Sequence, residues 1–273
     1  MQLVQLQRAQ EKFKDQNIGI AAISYDSPAI LGEFARRHQI TFPLLADPAS
    51  EIIRKFHVLN KDAAGMTAGM AHPGFIFVDA TGRIREKFFE TDYANRFTAN
   101  NIIGKLFPEL TEEAGKSVEA PHISLQLKQS DELGIPGSRV SLIAEIQLAA
   151  NLHVYAPGVK GYKAVDLRLD PTSEVNAEAA VYPEPKILFL PVINERVPVF
   201  QGRFRIVEDV TISTDEPFMK SARQGKAISI RGQLKYQACD DKVCYPPTSV
   251  PVAWEVQVAP LDVARSPESM QHR

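Results

Sequence analysis

Cysteine is almost missing from this chain. Only two of its 273 residues are cysteines, at positions 239 and 244, and none falls in the first 110. That excludes a disulfide-dense secreted scaffold. It also disfavours a closed zinc site, which wants four nitrogen or sulfur ligands, because no further Cys or His follows within ligand spacing. Charge of one sign is missing too. Thirty-one Lys and Arg stand against 33 Asp and Glu, for a net charge of −2. Nucleic-acid binders carry a basic footprint that this chain lacks. No apolar run approaches the roughly 20 residues of a membrane span. Met1-Gln-Leu-Val-Gln-Leu-Gln7 is amphipathic, so the signal-peptide pattern of a basic stretch followed by an apolar one is not visible. Taken alone, that start reads as cytosolic.

Hydrophobic residues make up 44% of the chain, enough for one large core or two ordinary ones. The stretch that stands out is Tyr236-Gln-Ala-Cys239-Asp-Asp-Lys-Val-Cys244-Tyr-Pro-Pro247, which holds both cysteines. Closing so short a loop restricts the unfolded chain little: chain-entropy bookkeeping gives roughly 2 kcal/mol, against nearly 5 for a loop of about 100 residues. Stability is a poor reason for such a bridge, and reversible redox chemistry is a better one. A structural bridge or two unrelated thiols are the plainer alternatives. Asp240, Asp241 and Lys242 keep the loop wet, and Pro246 and Pro247 stiffen its exit.

The string Tyr-x-x-Cys-x4-Cys-Tyr-Pro-Pro, followed by the strand-like Val250–Val256, resembles the N-terminal periplasmic domain of the DsbD thiol:disulfide interchange family. Its Cys spacing is one residue shorter than in the best-known member. The resemblance covers roughly the second half of the chain. It implies an immunoglobulin-like sandwich whose Cys239–Cys244 pair exchanges disulfides with a thioredoxin-fold or other Cys-pair redox protein. It implies a periplasmic or otherwise extracytoplasmic location, and no metal or bound cofactor. Tyr155 and Tyr162 are expected to line the Cys loop, with Tyr236 and Tyr245 beside it. Phe200, in Val-Phe-Gln-Gly-Arg203, resembles the Phe of that family's cap loop, although an ordinary core Phe reads equally well. Within the pair, Cys244 is expected to meet the partner and Cys239 to resolve the mixed disulfide. The two Cα atoms are expected roughly 4.4–6.8 Å apart.

The first half has a different pattern. A helix over 1–14 is followed by a strand over 18–25 and a helix from Pro28 to about His38. A short extended piece at 42–45 and a helix opened by Asp47-Pro48 come next. A hairpin follows, with arms 72–79 and 83–89, and then a mostly helical 91–107. The order suggests a parallel sheet with an antiparallel edge. Ala22-Ile-Ser-Tyr-Asp26, Phe42-Pro-Leu-Leu-Ala-Asp47 and His72-Pro-Gly-Phe-Ile-Phe-Val-Asp79 resemble the peroxiredoxin-like AhpC/TSA (redoxin) branch of the thioredoxin fold. Pro73 sits where that fold carries its cis proline. The chain departs from the family by having neither the first core strand nor the active-site cysteines. The expectation is a native protein that starts upstream with a Cys motif and a signal peptide.

The domain pattern is therefore two-part: an α/β thioredoxin-like unit over 1–108, a polar linker over 109–121, an all-β unit over 122–260 and a polar tail over 261–273. In the β unit, alternating runs predict strands at 123–127, 139–148, 153–155, 164–169, 204–207, 210–213, 227–236 and 250–258. The six His are expected at surface or loop positions, and none lies near the Cys loop in sequence. Trp254 reads as core, and Glu184, Glu195 and Asp209 as solvated surface. Two rivals to disulfide exchange remain: a non-catalytic binding module with a static disulfide, and a peroxiredoxin-like peroxidase whose catalytic Cys lies upstream.

Overall fold

The structure is a computed structural model that describes residues 2–108, 115–190 and 194–260. The chain divides into two compact units, at residues 1–108 and 109–260. The expected tail and the acidic part of the expected linker lie outside the described residues.

In the first unit, α1 (Gln2–Arg8) and α2 (Gln10–Asp15) replace the single expected helix, because Ala9 leaves helical geometry at φ −90°, ψ 1°. Leu6, Ala9 and Phe13 are buried together with Ile40, Phe42, Ala99 and Ile103. β1 (Ala22–Ser24) leads into α3 (Pro28–His38). The Ser27 hydroxyl accepts from the Ile30 N–H there, Pro28 fills the first turn, and Gln39 closes the helix in the left-handed region at φ 54°. β2 (Leu44–Ala46) lies parallel to β1. α4 (Glu51–Lys55) follows, with Asp47 accepting from the N–H groups of Glu51 and Ile53. β3 (Gly74–Val78) and β4 (Ile84–Phe89) form the expected hairpin.

Two expectations need correction here. Among the described residues, β1-β2 and β3-β4 remain separate pairs rather than one sheet. A groove of about 700 Å³, lined by Ile20, Ala22, Ser24, Phe75 and Phe77 among others, separates them. The segment 91–107 is helical only at its end. Asp92 turns the chain by accepting from Ala94 N–H, β5 (Arg96–Phe97) is extended, and the Thr98 hydroxyl caps α5 (Ala99–Leu106) by accepting from Asn101 N–H.

The second unit is β-rich. Its strands are β6 (Lys116–Val118), β7 (Ile123–Gln129), β8 (Leu133–Gly134), β9 (Ser138–Leu148), β10 (His153–Tyr155), β11 (Asp166–Leu169), β12 (Val175–Ala177), β13 (Lys186–Leu190), β14 (Glu195–Gln201) and β15 (Arg203–Ile212). A short helix α6 (Glu216–Ser221) precedes β16 (Lys226–Tyr236), β17 (Ala238–Cys239) and β18 (Thr248–Val258). Three sheet orders organise them: β12-β15-β9-β7-β6, β11-β16-β18-β8 and β13-β14-β10-β17. β6 lies inside the segment expected as linker; Lys116–Val118 pairs antiparallel with Leu125–Leu127. The two strands expected at 204–207 and 210–213 are one, because Glu208 and Asp209 stay in register with Leu142 and Ser141 of β9 instead of turning.

Period-two burial builds the core. Ile228, Ile230, Leu234 and Tyr236 of β16, and Val250, Val252, Trp254, Val256 and Val258 of β18, share one cluster with Leu125, Val140, Leu142, Ile146 and Ile206. Trp254 is core, as expected, and its indole N–H donates to Lys128 O at 2.9 Å. Gly232 is required where β16 meets β11: a Cβ there would lie 2.3 Å from Arg168 O.

Candidate redox site

The site arises because one strand changes sheets. β16 pairs with β18 up to Tyr236↔Thr248. After Gln237 the chain crosses to the third sheet, where Ala238 and Cys239 pair with Val154 and His153 of β10. The Gln237 side-chain amide donates to Tyr245 O at 2.9 Å and fixes the base of the crossing. Cys239 and Cys244 then face each other across a small antiparallel bridge. Asp240 N–H donates to Val243 O inside the pair and Tyr245 N–H donates to Ala238 O outside it, both at 2.9 Å. That makes the cysteines a non-hydrogen-bonded pair, the geometry that brings opposite Cα atoms closest. They are joined by a disulfide with a Cα separation of 4.0 Å, just under the expected window.

The loop tip is shaped by Asp240, whose carboxylate accepts from Lys242 N–H at 2.7 Å and Val243 N–H at 2.8 Å. These hydrogen bonds hold its pKa below the usual carboxylate range. The two sulfurs have unequal access: Cys239 is 1% exposed, whereas Cys244 is exposed.

Alternation along the flanking strands decides which side chains surround the pair. On β10, His153 and Tyr155 face the disulfide side and Val154 faces the main core. On β14, Val197 and Val199 share the disulfide side, with Leu188 and Leu190 of β13 packed against them. Tyr155 lies on this side, with Cys239. Its hydroxyl lies 3.9 Å from Cys244 Sγ, and its ring stacks on Tyr162 with centroids 4.2 Å apart. Tyr162 in turn donates to Glu195 at 2.6 Å, and this bond, with some burial, pushes its pKa up to about 12. Burial, and then the charge of Glu195, also raise Tyr155. Tyr245 stacks on His122 at 4.0 Å and donates to Asp240 at 3.4 Å.

Other expected residues lie elsewhere. Phe200 pairs with Val154 on the core side and stacks on Phe204 at 4.8 Å, so it is a core residue and not a cover for the disulfide. Its neighbour Val199 takes the site side, since successive strand residues point to opposite faces. Tyr236 also turns inward, and its hydroxyl donates to Pro121 O at 2.6 Å. The His72–Pro73 bond is trans, as there are no cis peptides among the described residues; trans is the lower-energy isomer of an X–Pro bond. Asp209 is buried and accepts from the Ser141 hydroxyl at 2.7 Å, so it is not solvated surface; Glu195 is exposed, and its carboxylate accepts from Tyr162.

The sequence reading missed His153 and His122, because it weighed histidines by their distance along the chain from the cysteines. The period of two was the signal available: a residue two before Tyr155 shares its face. Among the described residues, no group of three or more His, Cys, Asp or Glu could hold a metal ion.

Residues 1–87 match the model of the AhpC/TSA family, and residues 125–253 match that of the thiol:disulfide interchange protein DsbD, N-terminal. The chain is AhpC/TSA-like in front and DsbD N-terminal-like behind. Two solved structures are similar to it. The N-terminal periplasmic domain of ScsB from Proteus mirabilis is 11% identical, with a TM-score of 0.34, over 52% of this chain and 49% of that one. The reduced DsbD N-terminal domain of Neisseria meningitidis is 15% identical, with a TM-score of 0.29, over 42% of this chain and 75% of that one. The chain thus spans about half the length of the ScsB domain. No curated protein matches it. The disulfide falls within the DsbD N-terminal-like unit, and together the two matches and the bridge point to thiol–disulfide redox chemistry. Among the described residues, no helix is long and apolar enough to cross a membrane.

Proposed function

We propose that the Cys239–Cys244 pair exchanges disulfides with a thioredoxin-fold or other Cys-pair redox protein in an extracytoplasmic compartment, and that the second unit is an immunoglobulin-like sandwich built to hold it. The observation that carries this reading is the unequal access of two bonded sulfurs, one sealed in the strand and one at the surface. In the reduced protein, the Cys244 thiolate attacks a partner's disulfide. A Cys244–partner bond forms, the partner's own S–S bond breaks, and one partner sulfur leaves as a thiolate that takes a proton from water. Cys239 then attacks Cys244 Sγ, closing the intramolecular bridge and releasing the second partner thiolate. Two electrons pass to the partner, and no metal or cofactor enters the balance. Tyr155, Tyr162 and Tyr245 flank the bridge. Pro73 plays no part in this chemistry.

Equilibrium with a glutathione or dithiothreitol redox buffer tests the reading. A working pair is expected to have a reduction potential above about −300 mV, whereas a static bridge in a binding module falls below it.

A further inference from the structure

Beside the disulfide lies a side chain that the exchange steps above do not use. His153 is 1% exposed, and its Nε2 is buried without a hydrogen-bond partner. Whichever tautomer the ring adopts, Nε2 is then an unsatisfied donor or acceptor, which a buried ring does not carry without cost. Such an atom calls for an explanation. His153 stands directly across the ladder from Cys239. Side chains opposed in this way have Cβ atoms about 4.5–5.5 Å apart. A disulfide sulfur has no proton to give and accepts weakly. A thiol in the same place has a proton to give, and a thiolate accepts strongly.

We infer that His153 is the proton acceptor for Cys239: it takes the thiol proton as Cys239 resolves the mixed disulfide, so the imidazole finds its partner only when the bridge is open. The inference rests on the exchange reading and assigns one of its steps. Cys239 S–H gives its proton to His153 Nε2, the resulting thiolate attacks Cys244 Sγ, and the Cys239–Cys244 bond forms as the Cys244–partner bond breaks. The partner's thiolate departs and takes the proton from the imidazolium, directly or through water, which resets the ring. Without such an acceptor, a thiol buried as deeply as Cys239 would be held in its neutral, unreactive form.

The surroundings suit a neutral base that charges transiently. Burial lowers the pKa of His153, and Asp241 and then Asp240 oppose that from the Cys loop. On its own strand the near neighbour is the Tyr155 ring, edge-on at 5.4 Å. From β14 the opposed residue is Gln201, which carries no charge. The imidazole is therefore neutral and ready to accept at neutral pH, while the two loop carboxylates stand by to stabilise the imidazolium once it forms.

The test uses the full chain with His153→Gln, which keeps hydrogen-bonding capacity but cannot carry the proton. In a Cys244→Ser background, thiolate absorbance is titrated against pH and corrected with the double-serine protein. Adding His153→Gln is expected to raise the Cys239 midpoint by at least about one unit, a tenfold loss of thiolate at neutral pH. With both cysteines present, His153→Gln should slow release of the mixed disulfide about tenfold at pH 7 and catch up above about pH 9, where solvent ionises the thiol unaided. A change in packing alone would slow release equally at every pH. An unchanged midpoint, or a pH-independent defect, overturns the inference. Should the variant fail to fold, nitrogen NMR of the wild-type imidazole decides: the Nε2 resonance is expected to move on reduction, and a stationary resonance contradicts the assignment. The exchange reading fails separately, if the wild type passes no electrons to any partner disulfide. The Cys239 midpoint judges His153 even then.

Discussion

A Cys239→Ser variant is expected to hold an oxidised thioredoxin-fold partner as a stable mixed disulfide through Cys244, and Cys244→Ser is expected to capture at least about tenfold less. Access sets this asymmetry. Cys239 is 1% exposed and packs with Tyr155, Val197 and Val199, so a second protein cannot bring a sulfur in line with it. Cys244 is exposed and follows Asp241, Lys242 and Val243, which are exposed as well. Charge does not decide the order, because Asp240 and Asp241 disfavour a nearby thiolate while Lys242, between them and Cys244 in sequence, favours one. The measurement is adduct yield on a non-reducing gel, with the linked peptides read by mass spectrometry. If Cys244→Ser traps the partner and Cys239→Ser does not, the assigned roles are reversed.

The largest expected effect on stability lies away from the cysteines. On the face of β9 opposite the main core, Glu145 receives Lys128 at 3.1 Å, Arg203 at 2.7 Å and Arg205 at 2.7 Å. Burial pushes the Glu145 carboxyl up, but the hydrogen bonds from the two arginines and the lysine outweigh it and hold the pKa at about 2. The Glu145 and Lys128 side chains are only 6% and 8% exposed. Replacing Glu145 by Gln leaves the Lys128 charge buried without its counter-charge. Breaking such a pair from one side costs about 3–5 kcal/mol, and removing both charges costs much less. Denaturant unfolding should therefore show a large loss for Glu145→Gln and substantial recovery when Lys128→Met is added. The sign with pH follows: the folded pKa lies below the unfolded one of about 4.3, so this stabilisation is full at neutral pH and is lost as the pH falls from there through about 2. An acid titration in which Glu145→Gln and wild type lose stability in parallel would contradict the assignment.

What the sequence made legible tracks how local the cause is. Ser27-Pro28 opens α3, so its start could be read from neighbouring residues. The long alternating runs of β9, β16 and β18 were readable because period-two burial is written directly into them. The Cys loop could be found from its spacing and its Cys-Tyr-Pro-Pro exit. The failures are tertiary. The β13-β14 hairpin escaped notice: Lys186-Ile-Leu-Phe-Leu190 is a run with no alternation, and Pro198 sits inside β14. Glu208 and Asp209 read as a break because charges usually mark turns, yet β15 carries both of them buried in register with β9. Phe200 was placed at the disulfide by resemblance, and one step of strand alternation moves it to the other face. His153 was discounted because no sequence distance reveals that β17 crosses to β10.

Disulfide transfer, counted at equilibrium and approached from both sides, bears most directly on the central claim. Fully reduced protein is mixed with an equimolar oxidised thioredoxin-fold protein, and the oxidised protein with the reduced partner. Each mixture is quenched in acid and its thiols are counted by mass spectrometry. The account expects both mixtures to reach the same distribution within minutes, with every transferred bridge mapping to Cys239 and Cys244. If neither mixture moves while a small dithiol opens the same bridge, the pair is a static staple and the account is wrong.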